Sequence, residues 1–217
     1  MLKNKLTGIL IDFDGVISKN SVTINLEFLH YFINKISPIP FETIKSYFKI
    51  ANCFLQQPAV DLLFSSLGIK DHQELFLSEL NSLKEFNNKK IKIEDDFDHF
   101  IKFCQKKNIR YKIFSLADKS KFSSIRSLTD NDIYQLTGKS KANISTYSSL
   151  QRELKIEIAD WAMIDDNPLV LRAGNLSGLT TLLMKNDMYG INDHKDYEEF
   201  IDFKVNSFNE IQEILNK

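Results

Sequence analysis

Thr7-Gly8-Ile9-Leu10-Ile11-Asp12-Phe13-Asp14-Gly15-Val16 decides how this chain is read. A short, continuously apolar run that ends in acid suits a strand buried on both faces of a parallel sheet, and one is expected from Thr7 to Phe13. Asp12 and Asp14 project from the turn beyond it, and Gly15 lets the backbone leave sharply. After about Ile93 the same kind of strand recurs between helices. A helix through Phe97, Phe100, Ile101 and Cys104 leads to a strand Tyr111 to Ser115, and a polar helix is expected from about Lys119. Strands follow at Ile133–Leu136, Trp161–Ile164, Thr180–Met184 and Phe203-Lys204-Val205, with a helix Ser145–Leu154 and a closing helix. Such alternation argues for a parallel sheet covered on both faces.

Between these parts, from about Val22 to Phe86, the pattern is helix after helix. Ile24, Phe28, Leu29, Phe32, Ile33 and Ile36 recur at helical spacing until Pro38 and Pro40 stop them, and Phe41, Ile44, Tyr47, Phe48 and Ala51 form a second such face. Pro58 suits the first turn of a third helix that Gly68 can close. Asp71 with Glu74 is a helix-start signal before Leu75, Leu80 and Leu83. The expected organisation is an α/β core, residues 1–16 and 93–217, interrupted after its first strand by an all-helical insert, residues 17–92.

Composition narrows the function classes. The 217 residues are 43% hydrophobic and 26% charged, ordinary values for a globular protein. Lys+Arg 28 against Asp+Glu 29 leaves a net charge of -1, with no basic excess to displace the counterions of a nucleic acid. No apolar run reaches the roughly 18 residues of a membrane span. Cys53 and Cys104 share no metal spacing and make no disulfide framework, so a reducing, cytoplasmic compartment is expected.

Four polar sites fall at or just beyond strand ends, where open parallel sheets bind ligands. They are Asp12 with Asp14, then Ser115, then the loop lysines Lys139 and Lys141, then Asp165-Asp166. Each alone is ordinary, since acids at strand ends often cap helices or face water. Together, in this order, they hold what phosphoryl transfer requires. A carboxylate can attack phosphorus and split one hard step into two. A phosphate approaches several carboxylates only with a cation between them, and Mg²⁺ suits a cluster of three or four Asp. A hydroxyl and a lysine can hold the transferring oxygens. The second acid can protonate the leaving oxygen and later activate water.

Asp12-Phe13-Asp14-Gly15-Val16 resembles the first motif of the haloacid dehalogenase superfamily, Ser115 the second, the loop lysine the third and Asp165-Asp166 the fourth. The resemblance implies a Rossmann-like core with a helical cap between the first two motifs. It also implies a Mg²⁺-dependent phosphatase acting on a small phosphorylated metabolite. Asp12 resembles the nucleophile. Asp14 resembles the general acid/base and the residue whose backbone carbonyl helps hold magnesium, and an acid there favours a phosphatase or phosphomutase over a dehalogenase. Lys141 fits the third motif better than Lys139, because Tyr147, Leu150 and Leu154 follow it at the family's aromatic and leucine spacing. Asp166 is expected to bind metal directly, and Asp165 to bind it or to orient Lys141. Asn167 could add an outer contact. Ala142 and Ile144 replace the usual prolines, and Leu116 stands where a small polar residue is common.

Three rivals share some of these residues. A phosphomutase differs only in what its cap admits. A receiver-like phospho-accepting domain would place its paired acids before the hydroxyl and lysine, whereas here they come last. A degenerate binding protein would be expected to lack part of the set, and none is lacking. Asp95-Asp96 reads as a helix start. His30, His72, His99 and His194 read as solvated or capping, Trp161 as core, and Lys89, Lys90 and Lys92 as a hinge. The sequence assigns neither an individual metabolite nor an oligomeric state.

Overall fold

In a computed structural model, residues 5–51, 64–66, 68, 90–117, 119–122, 125–189 and 194–216 are described. Six strands form one sheet: β1 (Gly8–Ile11), β2 (Arg110–Ser115), β3 (Ile133–Gln135), β4 (Trp161–Asp165), β5 (Thr180–Met184) and β6 (Phe203–Val205). Their order across the sheet is β3-β2-β1-β4-β5-β6, with every pairing parallel. The chain therefore winds outward from β1 through β2 and β3, then returns to β4 on the other side of β1. The crevice at the β1/β4 reversal is where this architecture binds ligands.

Alternation along the strands builds two apolar layers. Ile9 and Ile11 of β1, Ile113, Ile164 and Leu182 face one side, where α3 (Phe97–Lys106) and α6 (Phe208–Leu215) contribute Phe97, Phe100, Ile101, Phe208 and Ile211. Leu10, Phe114, Met163 and Leu183 face the other, beneath Tyr147 and Leu150 of α4 (Ile144–Leu154) and Val170 and Leu171 of α5 (Pro168–Leu176). Period-two side chains on a strand covered on both faces leave no polar position until the strand ends, so the acids collect at one edge. Trp161 is core, as expected. Its indole lies 2.2 Å from where a side chain on Gly8 would begin, so β1 accepts only glycine there.

The helices after β1 have a core of their own. In α1 (Lys19–Ile36) the buried stripe is Val22, Leu26, Leu29, Phe32 and Ile33, and it meets Ile44 of α2 (Phe41–Ala51), Phe64 and two residues from the sheet domain, Met188 and Tyr189. The stripe differs from the expected one: Ile24 is half-buried and Ile36 is 37% exposed, because the helix turns Val22 and Leu26 inward instead. The third and fourth expected helices lie outside the described residues except for a helical turn at 64–66 and Gly68, as do Cys53, Phe54, Gln56, Gln57, His72 and Lys89.

One further expectation is corrected. The polar helix from about Lys119 is a single tight turn, Lys119–Phe122, because Phe122 and Ile125 both bury their side chains and pull the chain into the sheet layer. Asp95-Asp96 marks a helix start as expected, with Asp96 the N-cap residue of α3, and the Asp96 carboxylate also accepts from Asn209 N at 3.0 Å in the first turn of α6. His30 does bridge polar groups, with its Nε2 3.2 Å from Ile39 O, whereas His194 is buried beside the Tyr189 ring. The hinge is stitched by Asn20, whose amide donates to Lys90 O at 2.9 Å and accepts from Lys92 N at 3.0 Å. Glu94 N donates to Ile17 O at 2.9 Å, so the outgoing and returning chains run side by side.

Candidate active site

Register brings the first and last motifs together. Ile11 of β1 pairs with Ile164 of β4, and Asp12 N donates to Ile164 O at 2.9 Å, which puts Asp12 level with Asp165 at the reversal crevice. Asp12, Asp165 and Asp166 are all buried, and each offers a carboxylate oxygen within 4.8 Å of the others'. Each carboxylate is oriented by a different neighbour. Asp12 Oδ1 accepts from Phe13 N at 2.6 Å, Asp165 Oδ1 from Asn167 N at 2.9 Å, and Asp166 Oδ2 from Asn186 Nδ2 at 2.6 Å.

Lys141 is the cation of this cluster. It is buried, pairs with Asp12 Oδ1 and lies 3.5 Å from Asp165 Oδ2, with its ammonium over the Phe114 ring. The loop that carries it is pinned by the helix that follows. Tyr147 OH donates to Lys141 O at 2.8 Å, and Thr146 Oγ1 donates to Ser140 O at 2.7 Å. The lysine-to-aromatic spacing in the sequence is therefore a hydrogen bond in the fold. Lys139 instead lies out at the surface, 3.7 Å from Glu153.

Charge in this cluster does not balance. Burial is the main force raising the Asp12 carboxyl, opposed by Lys141 and reinforced by Asp165 and Asp14, and its pKa is pushed up to about 7. Asp165 is raised by burial against the pull of Lys141, and Asp166 is raised well above the ordinary range by burial and then by Asp165 and Asp12. Burial works against the Lys141 charge, yet Asp12 and Asp165 outweigh it and its pKa rises. With all three acids ionised beside one ammonium, two negative charges lack a partner, and uncompensated buried charge is costly. Asp166 Oδ1 is buried and has no hydrogen-bond partner among the described residues. An all-oxygen donor set with a twofold charge deficit and an orphaned oxygen fits a hard divalent cation such as Mg²⁺.

Asp14 is built differently. Its carboxylate takes both bonds from one ammonium, Lys121 Nζ to Oδ1 at 2.6 Å and to Oδ2 at 2.9 Å. Burial would raise the Asp14 pKa, but the Lys121 charge and hydrogen bond and a bond from Ser21 bring it below the usual value. Lys121 also lies over the Phe13 ring at 4.9 Å, and Phe122 beside it meets the same ring edge-on at 4.9 Å. Gly15, at φ +84°, closes the motif: a side chain there would begin 2.1 Å from Asp166 Oδ2. Ser115 ends β2 beside β1, and its hydroxyl accepts from Ala117 N at 3.1 Å, which ties it to its own loop.

Sequence reasoning missed Lys121 and Asn186. Lys121 shares a short stretch with Lys119, and only the tight turn selects which of the two points inward. Asn186 is an asparagine after β5 with no motif around it, so no local signal marks it.

No family model matches the sequence, and no curated protein matches it. The match is to solved structures, and it defines the architecture: the chain has the fold of the haloacid dehalogenase-like hydrolases. A hydrolase from Pseudomonas syringae is 16% identical with a TM-score of 0.75, covering 97% of this chain and 98% of that one. A β-phosphoglucomutase from Clostridium difficile is 15% identical with a TM-score of 0.72, covering 97% of each. A HAD family hydrolase from Deinococcus radiodurans R1, with bound phosphate and sodium, is 14% identical with a TM-score of 0.67, covering 97% and 95%.

Proposed function

We propose that the protein is a Mg²⁺-dependent phosphatase that hydrolyses a small phosphorylated metabolite through an aspartyl-phosphate on Asp12. The observation that carries this reading is the crevice itself, where a nucleophile-type carboxylate at the end of β1 lies against one buried lysine and two further buried acids. The hydrolase and phosphomutase likenesses in fold support a phosphoryl-transfer chemistry.

A Mg²⁺ held by Asp12, Asp165, Asp166 and the Asp14 carbonyl would supply positive charge to a phosphate group and let it approach the carboxylates. The chain's own residues do the rest. A carboxylate oxygen of Asp12 bonds to phosphorus as the ester P–O bond breaks, and the leaving oxygen takes a proton from Asp14. Water then attacks the phosphorus and gives its proton to Asp14, releasing inorganic phosphate and restoring Asp12. Lys141 and the Ser115 hydroxyl hold the oxygens on which charge accumulates. Lys121 keeps Asp14 ionised, the form needed in the second step, and fixes the direction in which it points. In the first step Asp14 must carry a proton, so that ion pair has to part.

In this reading residues 17–92 act as the cap, closing over the substrate to exclude water. Its apolar contact with Met188 and Tyr189 supports a layer that rests on the core beside the acids. Among the described residues no helix is long and apolar enough to cross a membrane. Cys104 is a buried free thiol, raised to about 12 by burial, which suits a cytoplasmic, reducing setting.

The test is a panel of phosphorylated sugars, nucleotides and small acids assayed with and without Mg²⁺. Phosphate release that requires Mg²⁺ and disappears in Asp12→Asn is the expected result. Release from no member of the panel, or equal release by the variant, overturns it. Turnover that demands a bisphosphate activator would make the enzyme a phosphomutase.

A further inference from the structure

Asn186 stands just beyond β5, in no motif, yet its side chain touches both halves of the acid site. We infer that Asn186 is a positioning residue that aims Asp166 at the cation, an inference that rests on the reading of Asp12, Asp165 and Asp166 as a divalent-cation site. Its amide is used at both ends. Nδ2 donates to Asp166 Oδ2 at 2.6 Å and to Gly15 O at 3.1 Å, while Oδ1 accepts from Met188 N at 2.9 Å. The bond from Met188 N fixes which end is the oxygen, so the amino group must face Asp166.

Asp12 and Asp165 are held by backbone N–H groups within two residues and by Lys141. Asp166 is oriented instead by the loop after β5, the strand next to β4. With Oδ2 held by Asn186, the carboxylate keeps Oδ1 buried and without a partner among the described residues. A carboxylate that is to ligate a hard cation needs that state: one oxygen anchored and the other dry and available. The anchor is itself rigid. The two residues that follow Asp187, Met188 and Tyr189, are buried among Val22, Leu26 and Phe32, and Tyr189 OH donates to Lys49 O at 3.4 Å. Asn186 therefore hangs from a packed cluster, which preorganises its amide before any ligand arrives. Gly15 completes the fit, since a side chain there would begin 2.7 Å from Asn186 Nδ2.

The experiment is calorimetric titration of the full chain with MgCl₂, beside thermal melting, for the natural protein, Asn186→Ala and Asn186→Leu. Loss of an outer hydrogen-bond partner typically costs about 10–100-fold in metal affinity, and that drop is expected in N186A with a melting temperature within a few degrees of the natural protein. N186L fills much the same space with no polar atom, so nothing donates to Asp166 Oδ2 and no charge is added. It is expected to lose a similar factor, about 10–100-fold, and it carries the test if N186A does not fold. Natural protein and variants that bind Mg²⁺ equally well overturn the inference while leaving the cation site standing. A drop in melting temperature with unchanged affinity gives Asn186 a structural role only, and also overturns it. If the natural protein itself takes up no Mg²⁺, the cation reading fails first.

Discussion

The two acids of the first motif sit two residues apart in two opposed electrostatic regions. Around Asp12, three buried carboxylates share one ammonium and every one of them is pushed upward by burial. Around Asp14, one carboxylate and one ammonium form a matched pair through two bonds, and the acid is brought down. In the first region burial and neighbouring acids oppose ionisation, which suits a place built to receive positive charge. The second is satisfied by the chain alone and makes sense as a device for aiming a side chain. Proximity in sequence says nothing of this division; the neighbours that each side chain meets decide it.

The sharpest way to break the comparison is to neutralise each acid in turn. Asp12→Asn should lower phosphate release from an aryl phosphate by about 10⁴-fold or more, as loss of a nucleophile does. Retained turnover would remove Asp12 from the chemistry. Asp14→Ala should cost less, about 10²–10⁴-fold, because the nucleophile and its cluster remain and only proton transfer is lost. If the two variants fell equally far, the two regions would not be separable.

The partners of the acids sharpen the comparison further. Lys121→Met should reduce kcat by up to about 10²-fold, the cost of a misplaced reacting group, while Lys121→Arg should recover part of it. An unchanged kcat in K121M would make the pair ornamental. For the unbalanced region the expectation runs through stability. Mg²⁺ at about 100 times its Kd should stabilise the folded protein by about 2.7 kcal/mol, read as a rise in melting temperature that EDTA reverses. Smallest of all, Asp166→Asn should raise the stability of the Mg²⁺-free protein by about 1–2 kcal/mol, since it removes an acid whose ionised form burial and its neighbours oppose in the folded state. A fall in the melting temperature of D166N without Mg²⁺ would show the cluster to be balanced after all.

Much of the architecture was legible because burial on both faces of a sheet leaves a plain mark. Ile9-Leu10-Ile11, Met163-Ile164 and Leu182-Leu183-Met184 are uninterrupted apolar runs, and each is a strand in the fold. The acids were legible for the same reason, since the strand cannot hold them until it ends. Lys121 was not, because three residues from Lys119 to Lys121 include two lysines with the same local propensity. What separates them is the packing of Phe122 on Phe13, a contact between residues far apart in the chain. The α1 stripe was displaced for a related reason: the face that Val22 and Leu26 present is chosen by Met188 and Tyr189, which arrive from the other end of the sequence.

The sequence by itself determined the alternation of strands and helices, the helical interruption after the first strand, and the order acid, hydroxyl, lysine, paired acids along the chain. These are local matters of period, length and spacing. Only the tertiary structure decided that Lys121 clasps Asp14 and that Asn186 holds Asp166, and it set Lys141, which the spacing already favoured over Lys139, against Asp12. Those are meetings between residues 20 or more positions apart, brought together by the parallel pairings of β1 with β2 and β4 and of β4 with β5, which no local period or spacing encodes.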